Sequence, residues 1–197
     1  MAEHDLSLIA PLTPSPSAWV ECVLDDFDTF LCDHASAEKK ASGMAMNVAA
    51  HYPDQPELLA AMVDLAVEEL GHYREVMRLI LARNLVPRAD TKDPYVNRLN
   101  QQVRRGTANF LLDRLLVAAV VERRGAERFA LLAAALEDPA LRKFYQAIAR
   151  SENRHWELFI ELAETHCDKQ AITPRFVELN EFEGELLLGL PIRSSLH

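Results

Sequence analysis

Residues 56–84 read PELLAAMVDLAVEELGHYREVMRLILARN, and their spacing predicts one long helix. Met62, Leu65, Ala66, Glu69 and Val76 recur at steps of three and four, so they share one face. Pro56 suits a first helical turn, because its missing N–H has no partner there, and Val86-Pro87 stops the run. The anomaly on this apolar face is Glu69, with His72 three residues on. Positions i and i+3 lie about 4.5 Å apart along the axis on the same side, so a carboxylate and an imidazole can converge on one ion. Glu68 has Asp64, Gly71 and Glu75 around it and reads as outward-facing, or as a group that orients a histidine.

The same motif returns as Glu152-Asn153-Arg154-His155, with Tyr145, Ile148, Ala149, Trp156 and Phe159 at helical spacing around Glu152. Each copy is preceded by a glutamate on an earlier helical stretch. Glu38 stands 31 residues before Glu69 among Leu31, Ala35, Ala41 and Ala45; Glu122 stands 30 before Glu152 among Leu115, Ala118, Ala119, Gly125, Ala126 and Phe129. The helical pattern starts at Ser17, after a proline-rich arm over residues 1–16, and runs with an early kink or break to about His51. Tyr52-Pro53 separates it from the stretch quoted above. A third helix is expected from about Thr107 to Leu136, and Asp138-Pro139 opens a fourth that reaches about His166. The connection from Leu85 to Gly106 holds a short helix near Tyr95–Arg104, and an acidic amphipathic segment, Pro174–Leu188, closes the chain. Two antiparallel hairpins with short turns, joined by one long crossover, are the layout of an all-α, ferritin-like four-helix bundle with short peripheral helices. One domain over residues 1–197 is expected, with 172–197 peripheral.

Four ionised glutamates on buried stripes would repel one another and cost several kcal/mol each if unpaired. No lysine shares those stripes. Two divalent cations balance four carboxylates, and carboxylate oxygens with two imidazoles and no thiolate suit iron before manganese or structural zinc. The candidate ligands are therefore Glu38, Glu69, His72, Glu122, Glu152 and His155, with Glu69 and Glu152 as bridging carboxylates. His34, one turn before Glu38, is either a hydrogen-bonded core histidine or a residue that supports a ligand from behind or relays a proton. Gly125 and Ala126 either leave space beside the metals or allow close helix packing. Ser151 either orients a histidine or is solvated.

The composition, 49% apolar and 26% charged with six glycines in 197 residues, fits a helical globular protein. The acidic N-terminus is unlike a secretory signal and no apolar run is long enough to span a bilayer, so a cytoplasmic protein without a membrane is expected. Cys22, Cys32 and Cys167 lack metal or disulfide spacing and read as reduced thiols. Net charge is −9, which argues against non-specific coating of nucleic acid. The distribution is uneven. Residues 1–38 carry eight acids and no Lys or Arg, whereas 98–155 carry eleven cations against six acids.

The segments Phe30-Leu31-Cys32-Asp33-His34-Ala35-Ser36-Ala37-Glu38-Lys39-Lys40-Ala41, Glu68-Glu69-Leu70-Gly71-His72-Tyr73 and Ser151-Glu152-Asn153-Arg154-His155-Trp156-Glu157 resemble the bacterial tRNA hydroxylases that act on 2-methylthio-N6-isopentenyladenosine. The six candidate ligands match that family's di-iron pattern position by position. The resemblance implies a non-haem di-iron monooxygenase that uses O2 to hydroxylate the isopentenyl side chain next to the anticodon, with electrons from an external donor such as a ferredoxin or flavodoxin system. It implies docking of the tRNA anticodon loop, for which Arg104-Arg105, Arg123-Arg124 and Lys39-Lys40 are either contacts or solvated helix faces. The alternatives are ferritin-like iron storage or ferroxidase activity and a di-iron oxidase of a small molecule. A radical generator with a tyrosine one turn after the motif fits less well, since Val76 and Phe159 stand there.

Overall fold

The structure is a computed structural model that describes residues 6–87, 89–106 and 109–197. Its described residues form eight helices and no strand: α1 Leu6–Ile9, α2 Ser17–Asp25, α3 Phe27–His51, α4 Pro56–Ala82, α5 Pro94–Asn100, α6 Phe110–Ala135, α7 Pro139–His166 and α8 Lys169–Gly189. None of them is long and apolar enough to cross a membrane.

Aspartates set many of the starts. The Asp26, Asp93, Asp138 and Asp168 side chains accept from backbone N–H groups of the first turns of α3, α5, α7 and α8, which satisfies donors that have no intrahelical partner. Pro94 and Pro139 follow two of these caps at the first helical position. Asp26 also explains the early break in the first expected helix: its side chain accepts from Thr29 N at 3.2 Å and separates α2 from α3. At the other end of the first hairpin, Asn84 adopts a left-handed φ of 56° just after α4, a conformation asparagine tolerates better than most residues.

The closing helix corrects the reading from sequence. It begins at Lys169, five residues before Pro174, because Asp168 caps it and accepts from Gln170 N. Pro174 lies inside the helix. Only one intrahelical N–H is lost there, and the turn continues through it.

The chain divides into two compact units. One comprises Met1–Val20, Lys92–Ile192 and His197; the other comprises Glu21–Thr91 and Arg193–Leu196. In the second, α3 and α4 form a hairpin around Phe30, Leu31, Ala45, Val48, Leu58, Met62, Leu65, Val76 and Ile80. Ser42 Oγ donates to the Ala66 carbonyl across it at 2.9 Å. In the first, α6 and α7 form the corresponding hairpin, and α8 packs against α6 through Phe176, Leu179 and Leu187. Helix α6 is buried on several sides, and its buried residues include the charged Asp113, Glu122, Arg123, Arg124 and Arg128.

Candidate metal centre

In the α3–α4 unit the sequence brings Glu38, Glu69 and His72 together. Glu38 occupies the middle of α3 on the row His34, Glu38, Ser42, Ala45, and Glu69 the middle of α4 on the row Met62, Leu65, Ala66, Glu69, Val76; all of these are buried. One ligand atom of each of the three lies within 4.8 Å of the others. His72 Nδ1 is 3.2 Å from Glu69 Oε2 and 3.5 Å from Glu38 Oε2. Behind them the wholly buried His34 places Nε2 2.5 Å from Glu38 Oε1. His34 is thus a hydrogen-bonded buried histidine whose partner is the candidate ligand Glu38.

The electrostatics of this triad suit a cation. Burial, helped by His72, holds His34 down to about 3, so its ring is neutral and its Nε2–H donates to Glu38. Burial also opposes charge on His72, but the Glu38 and Glu69 carboxylates outweigh it and push His72 up to about 11. A proton on His72 balances part of the carboxylate charge; a divalent ion held by these residues would carry more charge and would displace that proton. Two carboxylates, one imidazole and no thiolate form a donor set that fits iron or manganese.

The α6–α7 unit brings Glu122, Glu152 and His155 together in the same way, with one ligand atom of each within 4.8 Å of the others and all three residues buried. His155 Nδ1 stands 3.9 Å from Glu152 Oε2, beyond hydrogen-bonding range. A Cβ on Gly125 would sit 3.7 Å from Glu152 Oε2 and 3.9 Å from Phe129 Cε2, ordinary contact distances. Nothing there demands glycine for close packing, and the position leaves room for a methyl group against the carboxylate. Ser151 is buried and accepts from Arg154 Nη2 at 3.0 Å on its own helix. Glu68 is 41% exposed and 3.9 Å from Nε2 of His72, also on its own helix.

Each half of the sequence repeat is therefore a real three-residue cluster. Residues 7–197 match the family described as tRNA-(MS2IO6A)-hydroxylase (MiaE). The chain belongs to this family. It is 38% identical over 166 residues to the tRNA 2-(methylsulfanyl)-N(6)-isopentenyladenosine(37) hydroxylase of Pseudomonas putida, covering 84% of this chain and 80% of that protein. The Salmonella typhimurium protein of the same name is 34% identical over 133 residues, 68% of this chain and 48% of its own length. Among solved structures, a Synechococcus protein with aldehyde deformylating oxygenase activity superposes with a TM-score of 0.88 at 34% identity, covering 95% of this chain and 94% of that one. The fold class is all-α and ferritin-like, that of di-iron helical bundles.

Within this family member the cations that sequence offered for RNA contact fall into distinct groups. Arg123 and Arg124 are buried, which corrects both readings of that pair. Arg123 Nη1 donates to the Ala10 carbonyl at 2.8 Å, and Arg124 Nη2 to the Thr13 carbonyl at 2.7 Å. They anchor the proline-rich arm instead of facing solvent. Arg124 also pairs with Glu183 through Nε and Nη2 at 2.8 and 2.9 Å. A Cβ on Gly184 would collide with Thr13 Oγ1, so glycine is needed where the arm crosses α8. Arg104 and Arg175 both grip the buried Asp113. Lys39 binds Asp90 at 2.7 Å, and Lys40 donates to the Thr91 carbonyl at 2.8 Å.

Glu183 escapes the sequence because the acidic amphipathic segment that holds it shows no sign of which of its acids is buried. His197 escapes it too: its ring stacks on Tyr95 with centroids 4.8 Å apart and bonds Asp93 at 3.1 Å. The Asp93-Pro94 pair was the available signal, being the same cap as Asp138-Pro139.

Proposed function

We propose that the two triads act as one di-iron centre in a single 1–197 domain, with Glu38, Glu69 and His72 serving one ion and Glu122, Glu152 and His155 the other. Glu69 and Glu152 bridge. On this reading the chain is an O2-dependent monooxygenase that hydroxylates the isopentenyl side chain of 2-methylthio-N6-isopentenyladenosine next to the anticodon of tRNA. The observation that carries it is the repetition of one cluster, a glutamate facing a Glu-x-x-His, in two hairpins of a chain whose relatives are named for this reaction.

Iron, when bound, supplies the activation of dioxygen that an allylic C–H bond requires, with two further electrons delivered from outside by a donor such as a ferredoxin or flavodoxin. The chain's own residues position and exclude. His34 fixes the Glu38 carboxylate from the side away from His72. His72 exchanges its proton for a cation. The apolar residues around each cluster, Met62, Leu65, Ala66, Phe129, Tyr145 and Phe159, keep water from competing for the reacting side chain. An electron donor and O2 are co-reactants of this proposal, and a soluble cytoplasmic setting accords with tRNA as substrate.

The test is mass spectrometry of nucleosides from isopentenylated tRNA incubated with iron-loaded protein, dioxygen and a reductant, beside the Glu69→Ala variant. One added oxygen on that nucleoside, absent in the variant, is the expected result. The likeness to a deformylating oxygenase makes a small-molecule substrate the second reading. Dioxygen consumption with no change in tRNA, but with conversion of an aldehyde, would replace the first reading with the second; iron oxidation alone would return the chain to storage.

A further inference from the structure

The basic stretch from Arg98 to Arg154 contains cations spent inside the fold and cations offered to solvent. Arg104, Arg123 and Arg124 are engaged as described, Arg128 lies over the Trp19 ring at 4.7 Å, and Arg142 donates to the Leu136 carbonyl at 2.9 Å. Lys143 and Arg150 on α7 are exposed, and no hydrogen bond or ion pair of either side chain is found among the described residues. Seven residues apart, they stand nearly two turns from each other on one line of the helix, and Arg154 continues that line four residues on. Arg154 leans back towards Arg150, with Nη1 3.3 Å from the Arg150 carbonyl and Nη2 3.0 Å from Ser151 Oγ. The row spans about 16 Å at 1.5 Å of rise per residue.

Charge along α7 is partitioned. From Pro139 to Trp156 the sole acid is Glu152, which is buried. Beyond it, Glu157, Glu161 and Glu164 are all exposed. A protein of net charge −9 repels a polyanion over most of its surface, so any phosphate backbone it holds must meet a local exception. A straight row of cations ending at a block of acids is such an exception, and it has a direction.

We propose that Lys143, Arg150 and Arg154 form a docking face for the sugar–phosphate backbone of RNA, positioning the tRNA without reading its sequence. This inference rests on the tRNA reading given above. Phosphate contacts of this kind fix register and orientation, while recognition of the base is left to the centre itself. A linear spacing over three turns suits a linear polyanion better than the compact acidic patch of an electron-transfer protein, which is the other partner a cationic face attracts.

The experiment compares wild-type and Lys143→Ala/Arg150→Ala protein, both iron-loaded, binding fluorescently labelled isopentenylated tRNA across a salt series. Each lost phosphate contact lowers the slope of log Kd against log salt by about one, so the double variant should lose about two. Between about 50 and 200 mM salt, wild-type binding should then weaken roughly tenfold more than the variant's. Iron content and Tm should match wild type. Arg74→Ala/Arg78→Ala on α4, whose side chains lie against Glu75, should leave the tRNA slope unchanged. An unchanged slope and Kd in the α7 variant overturns the proposal. Slower reduction by an acidic electron carrier with tRNA binding intact also overturns it and assigns the face to that protein. If wild type itself neither binds nor modifies tRNA, the functional reading fails first, visibly and without any variant, and takes this inference with it.

Discussion

Removing the Glu183 carboxylate should destabilise the fold by stranding a buried arginine, and the size of the effect follows from the contacts. Arg124 and Glu183 are both 0% exposed. Their pairing is bidentate, and Tyr95 donates its hydroxyl to Glu183 Oε1 at 2.8 Å. Burial pushes the Tyr95 phenol well above its usual range, so it remains a donor. Breaking one side of a buried pair costs about 3–5 kcal/mol, because a desolvated charge is left behind. In Glu183→Ala the Arg124 guanidinium still has the Thr13 carbonyl at 2.7 Å and Glu127 at 3.0 Å, which argues for the lower end. About 3 kcal/mol corresponds to a fall in Tm of roughly 6–12 °C for a chain of this size. Circular dichroism melts of wild type, Glu183→Ala and the double variant Arg124→Met/Glu183→Leu measure it. The double variant should recover part of the loss, since no charge then remains buried. A fall of under about 2 °C in Glu183→Ala, or loss of iron with Tm unchanged, would refute the reasoning, the second by moving the pair from scaffold to metal centre.

Three further outcomes test the centre. Glu69→Ala should lose both ions by metal analysis, since a bridging carboxylate serves both; retention of two would cancel the ligand assignment. Glu68→Ala, one residue away but 41% exposed, should keep its metal. In metal-free protein His72 is raised from 6.5 to about 11, so the stability it contributes is complete below about pH 6.5 and is lost as pH climbs through 11. The Tm of metal-free protein should therefore fall between about pH 7 and pH 10, more steeply than that of iron-loaded protein or of metal-free His72→Gln. Parallel curves for all three would mean that His72 carries no such proton.

What could be read from residues alone depended on whether a signal was local. Helix starts were legible where an aspartate precedes a proline, as at Asp138-Pro139, and the ligand rows were legible because burial at three- and four-residue spacing is a property of one helix. Glu69 among Met62, Leu65 and Ala66 announces itself. Arg124 does not. Its neighbours in sequence are Arg123 and Gly125, and the partners that bury it include Thr13 and Glu183, more than fifty residues away on either side. A charge run looks the same in sequence whether it faces water or a remote carboxylate. The start of α8 was misplaced for a related reason: Pro174 was taken as the usual punctuation, while the side chain that caps the helix is Asp168.

The two triads match in residue type and differ in their surroundings, and the difference has chemical content. Glu38 is braced by a buried neutral histidine whose Nε2–H fixes one carboxylate oxygen. The position corresponding to His34, four residues before Glu122, is Ala118, which carries no imidazole. One turn after Glu122, by contrast, comes the side-chain-free Gly125 beside Glu152. A carboxylate held by a second side chain keeps its geometry when its ion changes charge. Beside Glu152 the glycine leaves the space of one methyl group, 3.7 Å from Oε2. On the di-iron reading proposed above, the Glu-x-x-His repeat would supply matched ligands to two ions, and the departures from it, His34 beside Glu38 and Gly125 beside Glu152, are where the two halves differ in what stands next to a carboxylate.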